Sequence, residues 1–543
     1  MLSTDFQVLS QAIARHARHR GSHTALVFLG NGEDESERVS FEALEARIVR
    51  AARGLAASGL RGQGMMIALP PGPDFAVLFL SCLRAGVVAI PVPYPDTFRN
   101  IARIEGIASH ARPAAIVSDD AGLAKCPGVG RRITLSALIA TGTRGATPEP
   151  FDVAFVQYTS GSTQAPKGIA VTNGNLLSNL AMITRGALLD DGCVSATWLP
   201  HFHDMGLIGG ICLPLFLGGT AVAMPTQAFV KRPQRWLGML HRYRATLSGG
   251  PCFGYDICAR RLGSSAPLLD LSAWRIAFCG SEPIRAPVLR RFAELLAPSK
   301  FDPAALLPCY GLAEATLMVT CPTPGTGMHE VALEHQPATG RRSFVSCGPA
   351  LPGSIIKIRN SSDGWANEGE LGEICISGPH VSPGLWNGVE GGVRPFSDRV
   401  TDGGSSYLRT GDIGALRDGG LVPVDRLKDL IVVYGRKVHA TDIESTALDA
   451  CRAVSTAAAI GVDYEAEERL VVLCEVRQTD MALVAIADLA TSVAKVHGIL
   501  PDVRLLLPGS LARTSSGKVA RFATKKRFLD GAFGPMVPPS TSR

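Results

Sequence analysis

The sequence predicts an α/β protein in two parts. A large N-terminal domain should hold two helix-covered sheets of mixed or parallel strands plus a small β unit, and a small α+β domain should follow. Three observations carry this. The 543 residues exceed what one compact core serves, so the chain should divide. A composition that is 46% hydrophobic and only 19% charged can fill a large interior. Apolar β-rich runs alternate with helical ones in two separate series, the pattern of parallel strands with helices on both faces.

The first series begins with a strand at 65–69, a helix at 74–85 and a strand at 87–91. A helix at 99–109 and a strand at 114–118 complete it. The second opens with a helix at 175–185, then an extended run at 194–199, a helical one at 205–217 and a strand at 220–224. A helix at 233–243 and strands at 245–248 and 276–279 close it. Beyond about residue 340, short strands punctuated by Gly and Pro (355–359, 371–377) suggest a small antiparallel unit. Near Asp425 the character changes again, with helices expected at 442–450 and 481–496 and a basic end. The predicted division is therefore 1–424 and 425–543. No internal repeat is visible.

Composition narrows the function. The 54 basic residues are scattered among 48 acidic ones for a net charge of +6, which is no nucleic-acid footprint and favours a small-molecule substrate. Thirteen cysteines, without CxxC pairs, several of them inside apolar runs, fit a reducing cytoplasm rather than a disulfide framework. Residues 6–20 read as an amphipathic surface helix, not a signal peptide. The uncharged stretch 205–230 is long enough to span a bilayer. Seven Gly and Pro residues interrupt it, so a buried helix followed by a buried strand is expected, without stable membrane insertion.

The most informative run is Val156-Gln157-Tyr158-Thr159-Ser160-Gly161-Ser162-Thr163-Gln164-Ala165-Pro166-Lys167-Gly168. A β segment empties into small hydroxylated and glycyl residues closed by a lysine. Such a loop can aim several N–H groups, hydroxyls and a cation at one phosphate, though a Ser/Thr-rich hairpin would also account for it. It is not a Walker A loop, since Lys167 precedes its last glycine. Downstream, Tyr310-Gly311-Leu312-Ala313-Glu314 offers a flat ring for a base, room for close approach and a hard oxygen ligand suited to Mg²⁺. Lys518 lies on a loop of small residues, Thr514-Ser515-Ser516-Gly517. There a cation could meet charge developing on a phosphate, or be one more solvated lysine.

Together these runs resemble the adenylate-forming ligases: acyl-CoA synthetases, luciferases and nonribosomal adenylation domains. Tyr407-Leu408-Arg409-Thr410-Gly411-Asp412 is similar to that superfamily's ribose-binding strand, and Asp425-Arg426-Leu427-Lys428-Asp429 to its interdomain junction. The resemblance implies ATP and Mg²⁺ as cofactors, with ATP or AMP held by Thr159, Ser160, Gly161, Ser162, Thr163, Lys167, Gly280, Ser281, Glu282, Tyr310, Gly311, Leu312, Asp412 and Arg426. It implies Glu314 as metal ligand, Lys518 as catalytic cation, Lys428 as hinge of a mobile C-terminal domain, and a barrel-like form for the small β unit.

Within the superfamily the chain resembles the fatty acyl-AMP ligase branch most closely, through Trp198-Leu199-Pro200-His201-Phe202-His203-Asp204-Met205-Gly206-Leu207-Ile208-Gly209-Gly210, through 243–251 and through Ala313. The acyl pocket is expected at His203, Met205, Gly206, Ile208 and Phe253, the glycine-rich helix leaving a groove for an apolar chain. The implied reaction activates a fatty or fatty-like acid to acyl-AMP and passes it to the phosphopantetheine thiol of an acyl carrier protein. No Asp-Ser-Leu attachment motif follows, so a separate carrier protein, or a carrier domain of a polyketide or nonribosomal peptide assembly, is expected. Residues 321–342 stand where the branch carries an extra segment opposing free coenzyme A. Cys252, Cys279 and Ser281 depart from the branch pattern and bear on substrate choice. The rivals are an acyl-CoA synthetase, an amino-acid adenylation domain with Asp256 holding the ammonium, and a catalytically silent nucleotide-binding protein. His201 and His203 lack a third ligand at zinc spacing and read as pocket or core histidines.

Overall fold

A computed structural model describes residues 6–141, 147–159, 166–263, 268–336, 340–387, 392–433, 436–464, 467–513 and 518–533. The first strand–helix series builds an eight-stranded sheet. Its spatial order is Val393–Pro395, Gly384–Trp386, Lys167–Thr172, Val153–Thr159, Val88–Pro91, Gly64–Ile67, Ala115–Ser118, Arg131–Thr134. The second builds a seven-stranded sheet in the order Leu306–Pro308, Ile276–Cys279, Leu247–Gly250, Val194–Thr197, Thr220–Ala223, Thr24–Phe28, Glu37–Ser40. Strands pair parallel inside both sheets, and antiparallel neighbours stand at the ends, which makes the sheets mixed. The inner strands Gly64–Ile67, Val88–Pro91, Ala115–Ser118 and Leu247–Gly250 are buried over their whole length, as parallel strands covered on both faces must be.

Between the two sheets lies a large apolar cluster to which helices Phe41–Ala57, Pro73–Ala85 and Asn173–Gly186 all contribute. The expected helix at 205–217 is present, but its first part, Met205–Cys212, has the wide i→i+5 turn of a π-helix before Leu213–Leu217 resumes α geometry. The small β unit is an antiparallel sheet of Ile355–Arg359, Gly372–Ser377, Ser405–Arg417, Arg399–Asp402 and Gly420–Arg426.

Some boundaries differ from expectation for local reasons. The strand expected at 245–248 runs Leu247–Gly250, because Arg244 at φ +45° ends the preceding helix and the Ala245 N–H still bonds back to Leu240. The helix expected at 481–496 is two pieces, Gln478–Leu483 and Ile486–His497. Val484 leaves the helical path in extended conformation and buries its side chain, while Leu483 stays in solvent.

The segment 321–342 contributes a hairpin of Glu330–Gln336 and Gly340–Val345. Leu333 is buried against Ala415, Val422 and Val424, so the hairpin rests on the small β unit. After Leu430, two apolar clusters are composed wholly of residues 431–533, around the sheet Val454–Tyr464, Glu467–Val476, Asp502–Leu506. Among the described residues no helix is long and apolar enough to cross a membrane. All 13 cysteines are free and all but Cys451 are buried.

Candidate active site

The strands Ile276–Cys279 and Leu306–Pro308 lead at their carboxyl ends into one cavity lining, at Ser281 and Tyr310, the ends at which ligands gather in open α/β sheets. The first of them runs on into Gly280, Ser281 and Glu282. Ser281 is held at φ +71°, a left-handed conformation that a residue with a Cβ adopts at a cost. Lys518, from the far end of the chain, reaches this turn: its Nζ donates to Ser281 Oγ at 2.7 Å and also meets the Ser281 carbonyl. Burial draws the Lys518 ammonium below its ordinary pKa, against the opposing pull of Glu282, Asp204 and Asp412. Burial likewise raises the Asp204 and Glu282 carboxyls, and with neighbouring cations Arg103 and Lys518 pushes His203 well below the usual histidine value.

An apolar cavity opens at this point. Asp204, Ser281, Tyr310 and Gly311 are the lining residues at its rim, while Met205, Gly209, Leu213, Leu247, Ile276, Phe278, Leu307, Leu317 and Met318 make its apolar wall. A polar rim with one cation, and an oily interior behind it, is the arrangement an aliphatic carboxylate would fill.

The five expected acyl-pocket residues divide. Met205 lines the cavity. Gly206 lies against the Pro200 carbonyl, where a Cβ would come within 2.2 Å, so it serves packing. Ile208 points into the inter-sheet core, and His203 is not on the cavity wall. Phe253 is also absent from that wall; its N–H donates to Glu282 Oε1 at 2.7 Å and its ring packs near Trp198. Beside Met205 the wall takes Gly209, on the same wide turn, and Leu213, the first residue of the α-helix that follows.

Beside the cavity a nucleotide-sized constellation assembles. The Tyr310 hydroxyl donates to Asp412 Oδ2 at 2.8 Å, and Arg426 Nε contacts Asp412 Oδ1 at 2.9 Å. The carboxylate is thus fixed on both oxygens and keeps lone pairs for further donors. Gly311 is required by close approach, since a Cβ there would lie 1.8 Å from the Leu317 carbonyl oxygen. Leu312 is buried under the small β unit, and Glu314 sits in a single helical turn, its carboxyl raised by burial and by Asp412.

No group of three or more His, Cys, Asp or Glu could hold a metal among the described residues. One hard carboxylate beside a phosphate site is nevertheless what Mg²⁺ uses when the nucleotide supplies the other ligands, so Glu314 fits that ion.

The run at 156–168 does form a hairpin, Val153–Thr159 against Lys167–Thr172, with Thr159 opposite Lys167 where the strands meet the connecting loop. Thr159 ends the first strand and Lys167 is exposed at the start of the second. Ser160, Gly161, Ser162 and Thr163 lie outside the described residues. Lys428 is exposed in a single turn, Leu427–Asp429, directly after the Asp412–Arg426 pair. Asp425 anchors the next segment by accepting from Thr441 Oγ1 at 3.1 Å and pairing with His439 at 2.8 Å.

Asp256, the carboxylate of the amino-acid reading, is paired with Arg260 and Arg285 and does not line the cavity. His201 is buried edge-on to Phe75. Sequence reasoning missed Asp204 as a rim residue, although it caps the π-helix by accepting from the Met205 N–H at 2.7 Å. An acid just before a glycine-rich helix was the available signal.

The family model described as AMP-binding enzyme matches residues 13–386. The chain is 33% identical to a medium-chain-fatty-acid–[acyl-carrier-protein] ligase, JamA, of Moorena producens, over 98% of this chain and 96% of that protein. It is 32% identical to a long-chain-fatty-acid–AMP ligase, FadD26, of Mycobacterium marinum, over 96% and 97%. Among solved structures it is similar to one from a study of fatty acyl-adenylate ligases of E. coli and L. pneumophila, with a TM-score of 0.85, 30% identity and coverage of 97% of this chain and 99% of that one.

Proposed function

Since this chain belongs to the AMP-binding enzyme family, in its fatty acyl-AMP ligase branch, we propose that it activates a fatty acid with ATP to acyl-AMP and pyrophosphate and then acylates a carrier-protein thiol. The observation that carries this reading is the meeting of Lys518 with Ser281 at the rim of an apolar cavity, beside the Tyr310–Asp412–Arg426 cluster.

In the first step the acid lies with its chain in the cavity and its carboxylate at the rim. It is already ionised, so no general base is needed. One carboxylate oxygen bonds to the α-phosphorus, the bridging P–O bond breaks, and pyrophosphate leaves with the electron pair. Catalysis is then positioning plus charge neutralisation. Lys518 meets the charge that builds up between carboxylate and α-phosphate, Tyr310 stacks the base, and Asp412 with Arg426 holds the ribose. Glu314 would hold Mg²⁺ together with the nucleotide, and the ion would supply charge neutralisation on the phosphates.

In the second step a phosphopantetheine thiol attacks the acyl carbonyl and AMP departs. Residues 425–543 act as a mobile domain turning about Lys428, and they carry Lys518 away once adenylation is done. The carrier is a separate protein or an assembly-line carrier domain, and free coenzyme A is a poor acceptor. The hairpin of 330–345, seated on the strands that lead to the junction, supports that discrimination. Thirteen free cysteines support a cytoplasmic setting.

Pyrophosphate exchange into ATP, measured with a panel of acids, tests the activity. Aliphatic acids should stimulate it. Exchange with amino acids alone would overturn the reading.

A further inference from the structure

The helix Phe98–Ala111 lies along the phosphate-loop hairpin, and one of its faces touches that hairpin at several points. His110 Nδ1 is 2.9 Å from the Tyr158 hydroxyl. A Cβ on Gly106 would be in ordinary contact, 3.7 Å, with the Pro166 ring. Arg103, one turn earlier on the same face, reaches the Tyr158 carbonyl at 3.5 Å, one residue before the strand's end at Thr159. Its guanidinium also stands 5.8 Å from the centroid of the Phe202 ring. One more turn back, Arg99 donates to the Arg513 carbonyl, so the same face meets the segment that carries Lys518. Residues 99, 103, 106 and 110 follow the three-and-four spacing of one helix face.

Phe202 precedes His203, and His203 feels the positive charge of both Arg103 and Lys518. Lys518 stands at the cavity rim and Arg103 on the side of the phosphate hairpin. In an in-line displacement the leaving group departs opposite the attacking oxygen. On the adenylation reading the acid's chain occupies the cavity and the departing phosphates the hairpin side, where Arg103 lies.

We propose that Arg103 is a phosphate-binding residue that grips the β,γ-phosphates of ATP and the pyrophosphate they become. This rests on the adenylation reading of the site. A planar guanidinium suits the task, since its fork of N–H donors matches two phosphate oxygens at once and its face packs on Phe202 meanwhile. Burial pulls Arg103 down to about 10, which leaves it charged at neutral pH.

The test measures pyrophosphate binding directly. Full-length enzyme is saturated with a non-hydrolysable acyl-sulfamoyl adenosine, which mimics acyl-AMP and has no pyrophosphate, and is then titrated with pyrophosphate in magnesium buffer by calorimetry. R103Q should weaken pyrophosphate binding at least tenfold while its affinity for the mimic stays within twofold of the parent. R103K, which keeps the charge and loses the fork, should fall between the two. Where the parent supports exchange, the KM for pyrophosphate should rise in the same order.

Unchanged pyrophosphate affinity in R103Q would overturn the assignment. So would an equal loss of mimic affinity, which would mark Arg103 as merely bracing Phe202 and Tyr158. Should R103Q fail to fold, R103K decides: parent-like pyrophosphate binding contradicts the proposal. A parent enzyme without exchange on any acid would count against the activity, while the binding titration would still judge Arg103.

Discussion

Lys518 is where the account is most exposed at the scale of single residues. Its ammonium meets Ser281 at the cavity rim, and a preorganised cation of this kind is worth about 10²–10³ in rate. Lys518→Ala should therefore lower adenylate formation by that order, read as pyrophosphate exchange. Thioester formation from preformed acyl-AMP should survive. Burial lowers the Lys518 pKa, and the protonated form is the active one. Activity should thus fall as pH rises through that lowered value. The alkaline limb of kcat/KM, which reports the free enzyme, should lie below the ordinary lysine pKa, and Lys518→Arg should move it upward.

Ser281 makes a second test. At φ +71° a glycine relieves backbone strain, so Ser281→Gly should stabilise the fold by about 0.5–1 kcal/mol in urea unfolding, although Lys518 loses its hydroxyl partner. Lys518, Tyr310 and Asp412 were legible because each sits in a motif of its own. Asp204 and Arg103 were not, since one reads as a helix cap and the other as one of many arginines on an amphipathic helix.

At the scale of elements the π-helix Met205–Cys212 puts Met205 and Gly209 on the cavity wall. Its three glycines do different work. A Cβ on Gly206 would press on the Pro200 backbone at 2.2 Å, and one on Gly210 on the Thr197 side chain at 2.9 Å. On Gly209 it would meet only Leu317, at an ordinary 3.5 Å, inside the cavity. Gly209→Val should accordingly fold and shorten the cavity, shifting the chain-length profile of exchange to shorter acids. Each methylene excluded should cost about 0.8 kcal/mol, close to fourfold in kcat/KM. Gly206→Ala should instead lower thermal stability whatever the acid. A glycine-rich helix beside the pocket was legible in the sequence. Which of its residues face the pocket was not, because an all-apolar, glycine-rich run marks no face of its own, and Ile208 turns into the core where Gly209 lines the wall.

For the whole molecule, the end of the chain is closed on the N-terminal part through Lys518 on Ser281 and Arg99 on the Arg513 carbonyl, as the proposed first half-reaction requires. Lys428→Pro should freeze the junction, since proline fixes φ near the value a helical turn already uses. Exchange should persist while transfer to a carrier protein falls at least tenfold. The two sheets, the small β unit and the change of character near Asp425 were legible from apolar periodicity. The seating of the 330–345 hairpin on Ala415, Val422 and Val424 was not, because only the assembled sheet creates that surface. The most direct test of the whole account is the product of a single turnover, quenched from enzyme, MgATP and dodecanoic acid and identified by mass spectrometry. Dodecanoyl-AMP in amounts approaching the enzyme, lost in Lys518→Ala, is the predicted result; ADP, with no acyl-adenylate at any chain length, would contradict it.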